Sequence, residues 1–312
     1  MSKVAFLFPG QGSQYVGMGA DFYENSEVAK DIFDLASNVT GIDVKKLCFE
    51  ENEEINVTEY TQLAMLADEV AILMAIKEAG LDCDVTAGLS LGEYGALVAS
   101  GVLTPSDAFW LIRQRGMFMQ EAYPVGGGMS AVLGADNSLI ENICNEVANE
   151  AKKVVSIANY NCPGQIVITG HIDAVTEAGR RLTEAGAKRV IPLKVSGPFH
   201  SELLKSASDN LAKVLDKVSL KNINVPYITN VTADYVSNLS EVPSLLQKQV
   251  CSSVRWQQTI ERMIADGVDT FIEIGPGKTL TGFMKKINKE VKVLNVDKYE
   301  DLAKLLEANV RE

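Results

Sequence analysis

Two glycines bracket a serine in Gly88-Leu89-Ser90-Leu91-Gly92. That spacing suits a nucleophile on a sharp turn between a strand and a helix. Small and β-branched residues, Val85-Thr86-Ala87, lead into the turn, and a helix-compatible run, Glu93-Tyr94-Gly95-Ala96-Leu97-Val98-Ala99, leads out. Glycine two places on either side lets Ser90 stand clear of the neighbouring strand. The N–H of Leu91, at the helix start, then points where an oxyanion would form, aided by the positive end of the helix dipole. An ordinary Gly-rich turn with a capping serine would also read this way; the strand–turn–helix setting favours the nucleophile. Glu93 reads as an acid favouring the helix N-terminus rather than as part of a triad.

A serine hydroxyl needs a positioned base to take its proton. The chain holds two histidines, His171 and His200. His171, in Thr169-Gly170-His171-Ile172-Asp173, reads as an exposed turn residue. His200, in Ser196-Gly197-Pro198-Phe199-His200, stands at the start of a helix, where the dipole disfavours imidazolium and keeps the ring able to accept a proton. It is the candidate base. Spacing picks out no acid as third member. Arg113 and Arg115 lie among Phe109, Trp110, Leu111, Ile112, Phe118 and Met119 on a helix apolar nearly all round. A buried arginine needs an anion, and the residues alone leave open whether that is a structural partner or a bound carboxylate. The Gly-rich turns Pro9-Gly10-Gln11-Gly12 and Gly275-Pro276-Gly277-Lys278-Thr279 fail as phosphate loops, because Tyr15 and Ile272 occupy positions that need small residues.

The elements that must carry these residues follow from the patterning. A buried strand over 4–8 is expected, with amphipathic helices over 28–37 and 63–79 and a helix over 105–121. The helix over 105–121 opens on Thr104-Pro105-Ser106-Asp107, which supplies an N-cap, a proline at N1 and an acid at N3. From Gly126-Gly127-Gly128 the order becomes strand 129–133, helix 137–151, strands 154–158 and 165–169, helix 174–185 and strand 189–195. That is a β-α-β-β-α-β ferredoxin-like unit. Beyond it lie a helix over 202–218, a strand over 225–229, a helix over 255–265, a strand over 270–274, a helix after the Gly275–Gly277 turn, a strand over 291–296 and a terminal helix. The predicted class is α/β, with a mainly parallel, helix-covered sheet. Residues 1–125 and 197–312 would form the large catalytic subdomain, with 126–196 inserted into it.

The chain of 312 residues is 46% hydrophobic and carries a net charge of −12. That charge argues against nucleic-acid or anionic-membrane surfaces and leaves room for a local basic dock. Lys188, Arg189 and Lys194 are the candidates for such a dock. Five scattered cysteines without a C-x-x-C pair suit a reducing cytoplasm. No signal peptide or membrane span is evident, and no cluster has metal-ligand spacing.

Several motifs occur in order: Phe8-Pro9-Gly10-Gln11-Gly12-Ser13-Gln14, Gly88-Leu89-Ser90-Leu91-Gly92-Glu93, Arg115-Gly116 with Met119-Gln120, Asn159-Tyr160-Asn161-Cys162-Pro163-Gly164-Gln165, Gly197-Pro198-Phe199-His200-Ser201 and Glu273-Ile274-Gly275-Pro276-Gly277. Across nearly its whole length the chain resembles the malonyl-CoA:acyl carrier protein transacylases of bacterial type II fatty acid synthesis. The resemblance implies an α/β-hydrolase-like large subdomain and a ferredoxin-like insertion. It implies Ser90 as the acylated nucleophile, His200 as base and acid, and Gln11 and Leu91 as oxyanion-hole amides. Arg115 would bind the malonyl carboxylate, and Gln249 would orient His200 through its main-chain carbonyl. Phe199, next to His200, would fill the space beside the acyl α-carbon. The expected substrate is malonyl-CoA and the expected partner an acyl carrier protein bearing phosphopantetheine, served by a cytoplasmic monomer without bound cofactor or metal. A polyketide-type acyltransferase, a serine thioesterase or hydrolase, and a noncatalytic carrier-binding scaffold are the rival readings. Many relatives have histidine where this chain has Leu89; the elbow is expected to turn that neighbour away from the substrate.

Overall fold

The structure, a computed structural model, describes residues 2–195, 197–308 and 310–311. Two sheets organise it. The first is parallel and contains β1 (Val4–Phe8), β2 (Val85–Gly88), β7 (Thr270–Ile274) and β8 (Lys292–Val296), in the order β2-β1-β7-β8. Every residue of β1, β2 and β7 is buried, as continuous apolar runs in a helix-covered parallel sheet should be. The second is antiparallel and contains β3 (Gly127–Leu133), β4 (Val155–Cys162), β5 (Gln165–His171) and β6 (Arg189–Pro192), in the order β4-β5-β3-β6. Helices Asn137–Ala151 and Ile172–Glu184 complete the expected β-α-β-β-α-β sequence. The mixed α/β class anticipated from the pattern is the one found.

Adjacent parallel strands carry the candidate site. β1 and β2 pair directly, so the turn after Phe8 and the turn after Gly88 emerge side by side at the carboxyl edge of the sheet. Ligands of open parallel sheets bind at that edge. Helix Thr58–Glu78 and helix Pro105–Ala122 pack together behind it. Thr104 Oγ1 caps the second helix by accepting from Asp107 N–H at 3.1 Å, with Pro105 at its start. Gly116 lies against the Glu59 backbone: a Cβ there would fall 2.8 Å from Glu59 Cα.

Several expected bounds shift. The first of these two helices begins at Thr58 rather than 63, and β6 ends at Pro192 rather than 195. The segment 225–229 is not a strand. Pro226 has no N–H to give a ladder, and isolated bridges join Tyr227 to Thr86 and Ile228 to Tyr235 in place of a strand. Short helices Ala20–Asn25, Val44–Phe49 and Val242–Gln249 were not foreseen. Ser196, at the expected end of the insertion, lies outside the described residues, as do Met1 and Glu312.

Candidate active site

Ser90 holds φ +57°, the left-handed region that an L-residue occupies only under constraint. The constraint is visible atom by atom. A Cβ on Gly88 would sit 1.9 Å from the Gly92 carbonyl carbon, and one on Gly92 would sit 2.3 Å from Phe8 O. Asn230 clamps the turn: its Oδ1 accepts from Ser90 N–H and its Nδ2 donates to Gly88 O, both at 2.6 Å. Sequence reading missed Asn230. Its one sequence signal was a polar residue closing an apolar run, and its partner lies 140 residues away.

Ser90 Oγ is 2.7 Å from His200 Nε2. His200 Nδ1 donates to the Gln249 main-chain oxygen at 2.9 Å, which leaves Nε2 free to accept. The cause expected for a neutral His200 needs correction. The residue stands in a turn ahead of a 3-10 segment, Glu202–Leu204, and of helix Lys205–Leu215, not at the head of a long helix. Burial first, and then the Arg115 charge, lower its pKa from 6.5 to about 4.

Arg115 is 1% exposed. Its Nη1 donates to Gln62 Oε1 at 2.6 Å, and its Nη2 to Gln249 Oε1 at 2.9 Å and Ser90 Oγ at 3.2 Å. Among the described residues no carboxylate pairs with it, and its Nε has no partner. Arg113, two positions earlier, does pair with Glu59 at 2.7 Å. A structural ion pair is thus present for Arg113 and, among the described residues, absent for Arg115. Burial disfavours the Arg115 cation, and the nearby Tyr94 and Glu93 act against that effect.

These groups face one cavity of about 170 Å³, whose lining includes Gln11, Gln62, Ser90, Leu91, Arg115 and His200. The amides of Gln11 and Leu91 donate to no acceptor among the described residues. Phe199 joins the wall, 6% exposed. So does Leu89, contrary to expectation, because its side chain folds over Gly10, where a Cβ would meet Leu89 Cδ2 at 2.6 Å. Met129 and Val167 reach the same cavity from the antiparallel sheet. His171 lies outside it. It ends β5, its Nδ1 accepts from Val154 N–H at 3.0 Å and its ring meets Tyr123 edge-on, so it is a packed residue and not merely an exposed one. Lys188, Arg189 and Lys194 do not line the cavity either. Among the described residues no group of three or more His, Cys, Asp or Glu could hold a metal, and no helix is long and apolar enough to cross a membrane.

A serine on an elbow, hydrogen-bonded to a histidine and sharing one cavity with free amides and a buried arginine, is equipped to pick up and release an acyl group. The chain belongs to the acyl transferase domain family, which matches residues 5–307. Within that family it falls among the malonyl CoA-acyl carrier protein transacylases. The Bacillus subtilis (strain 168) protein of that description is 47% identical over 304 residues, covering 97% of this chain and 96% of its own. The Staphylococcus aureus (strain MRSA252) one is 42% identical, covering 97% and 98%. The crystal structure of malonyl CoA-acyl carrier protein transacylase from Clostridium perfringens superposes with a TM-score of 0.94 at 43% identity, covering 98% of this chain and 97% of its own. A type II PKS acyl-carrier protein in complex with its malonyl-transacylase gives 0.95 at 41% identity, covering 99% of this chain and 100% of the other. The family resemblance drawn from the ordered motifs is borne out.

Proposed function

We propose that the chain transfers the malonyl group of malonyl-CoA to the pantetheine thiol of acyl carrier protein, supplying extender units for fatty acid synthesis. His200 Nε2 takes the Ser90 proton as Oγ attacks the thioester carbonyl. The Leu91 and Gln11 amides hold the oxyanion. The C–S bond breaks, the CoA thiolate takes the proton back from His200, and malonyl-Ser90 remains. In the second half the carrier thiol gives its proton to His200 and its sulfur attacks the ester. The C–O bond breaks and Ser90 regains its proton, so the kinetics are ping-pong. Gln249 orients His200 through its main-chain oxygen, and Phe199 crowds the acyl α-carbon. No resident cofactor enters this scheme. The catalytic subdomain comprises 1–125 and 197–312 and the inserted one 126–196, a division supported by the confinement of the antiparallel sheet to 127–192. The chain acts as a cytoplasmic monomer.

The observation that carries the malonyl assignment is the buried Arg115, without a carboxylate partner among the described residues, in the cavity of Ser90. A guanidinium fork can meet a carboxylate with two parallel hydrogen bonds. Arg115→Ala should therefore cost malonyl transfer about 1.5–3 kcal/mol, the worth of hydrogen bonds to a charged group. Acetyl transfer should fall much less. Comparing kcat/KM for malonyl-CoA and acetyl-CoA in both proteins checks this; equal losses would make Arg115 structural.

A further inference from the structure

Glu93 is fully buried beneath the elbow, and the reaction as proposed gives it no task. It does more than favour a helix start. Its Oε2 accepts from Gln249 Nε2 at 2.7 Å and from the Asn230 main-chain N–H at 3.1 Å. Both partners also hold the nucleophile: Asn230 Oδ1 accepts from Ser90 N–H, and Gln249 Nε2 donates to Ser90 O at 2.9 Å. The other end of the Gln249 amide, Oε1, accepts from Arg115 Nη2 at 2.9 Å.

That arrangement leaves the Gln249 amide one orientation. Flipped, its NH2 would face the guanidinium and its oxygen would face both the Glu93 carboxyl and the Ser90 carbonyl, with donors against donors and acceptors against acceptors. Glu93 Oε2, the nearest acceptor to that NH2, thus fixes the polarity of the amide together with Ser90 O and, at 3.4 Å, Asn230 Oδ1. The amide in turn fixes one arm of Arg115, whose other arm rests on Gln62. By contrast, His200 is held by the main-chain oxygen of Gln249, at the end of helix Val242–Gln249, and does not depend on how the side-chain amide lies.

We propose that Glu93 is a positioning residue acting through the Gln249 amide to aim Arg115 at the acyl carboxylate, so that it governs selection of a carboxylated acyl group without touching the substrate. The inference rests on the transacylase reading. A helix-capping or general folding role would affect every acyl substrate alike; a role through Arg115 affects malonyl and spares acetyl.

The test is kcat/KM for malonyl-CoA and acetyl-CoA in wild type, Glu93→Met, Glu93→Gln, Gln249→Leu and the Glu93→Met/Gln249→Leu pair. Glu93→Met should lower the malonyl-to-acetyl ratio about tenfold, as for one hydrogen bond to a charged group. Glu93→Gln keeps an acceptor of the same reach and should hold the ratio within about threefold of wild type. The double variant should show no lower ratio than Gln249→Leu alone, because both changes remove one chain of contacts. Equal losses for both substrates in Glu93→Met, or effects that add in the double variant, would overturn the inference. If Glu93→Met does not fold, Gln249→Leu decides, and an unchanged ratio there overturns it. A wild type that transfers no malonyl would fail the functional reading itself, whereas a malonyl-selective wild type with unmoved ratios in the variants fails only the role of Glu93.

Discussion

At the scale of single residues the site is a balance of buried charge. His200 is desolvated and faces a cation, so its ring stays neutral well below the usual histidine range, at about 4. A neutral imidazole is what a base needs before it accepts a proton. The free-enzyme kcat/KM for malonyl-CoA should therefore stay level from about pH 8 down to about pH 5.5, and decline only as pH approaches 4. A decline centred near the ordinary histidine value of about 6.5 would show that burial and Arg115 do not govern His200. Ser90, His200 and Arg115 were each legible from type and context: a serine between glycines, a histidine at a chain crossing, an arginine in an apolar helix. Asn230 and the side chain of Gln249 were not, because their partners lie 140 and 159 residues away and no local pattern encodes such a pairing.

At the scale of elements, the elbow and the helix behind it carry the account. The elbow was legible because only glycine can stand where a Cβ would fall 1.9 Å from backbone carbon. Gly88→Ala should cost about 3 kcal/mol or more, the range of severe backbone and packing conflicts, measured as a loss of denaturant midpoint with wild-type slope. A near-neutral result would mean that the turn opens without harm. Helix Thr58–Glu78 was harder to bound, being buried nearly all round and so lacking a clear polar face. It carries Asp68, fully buried with both carboxyl oxygens unpartnered among the described residues. Burial first, then the charges of Asp297 and Asp21, hold that carboxyl well above the carboxylate range. Below about pH 4, folded and unfolded chains both keep the proton; above it the unfolded chain gives it up and the folded one does not, so folding is penalised more as pH rises. Asp68→Asn should therefore raise Tm relative to wild type by a margin that is absent below about pH 4 and opens as pH rises above it. A margin independent of pH would contradict this.

At the scale of the whole molecule, two sheets divide the work. The parallel sheet presents Gln11 and Ser90 from neighbouring strand ends, and the antiparallel sheet supplies Met129 and Val167 across the cavity. The alternation of strand and helix patterns made both sheets legible. The strand expected over 225–229 failed because a proline interrupts a ladder that hydrophobic periodicity alone would continue. Leu89 was misread because the turn's direction was inferred without the close approach of Gly10 that folds the side chain into the cavity. The central claim is that this cavity loads malonyl onto Ser90 and unloads it onto a carrier thiol. Intact-mass measurement of wild type and Ser90→Ala after malonyl-CoA, with peptide mapping and then addition of phosphopantetheine-bearing carrier protein, tests it most directly. The account predicts one malonyl adduct on Ser90 of the wild type, none on Ser90→Ala, and passage of that adduct to the carrier. An adduct surviving in Ser90→Ala, or one released only to water when carrier is present, would contradict it.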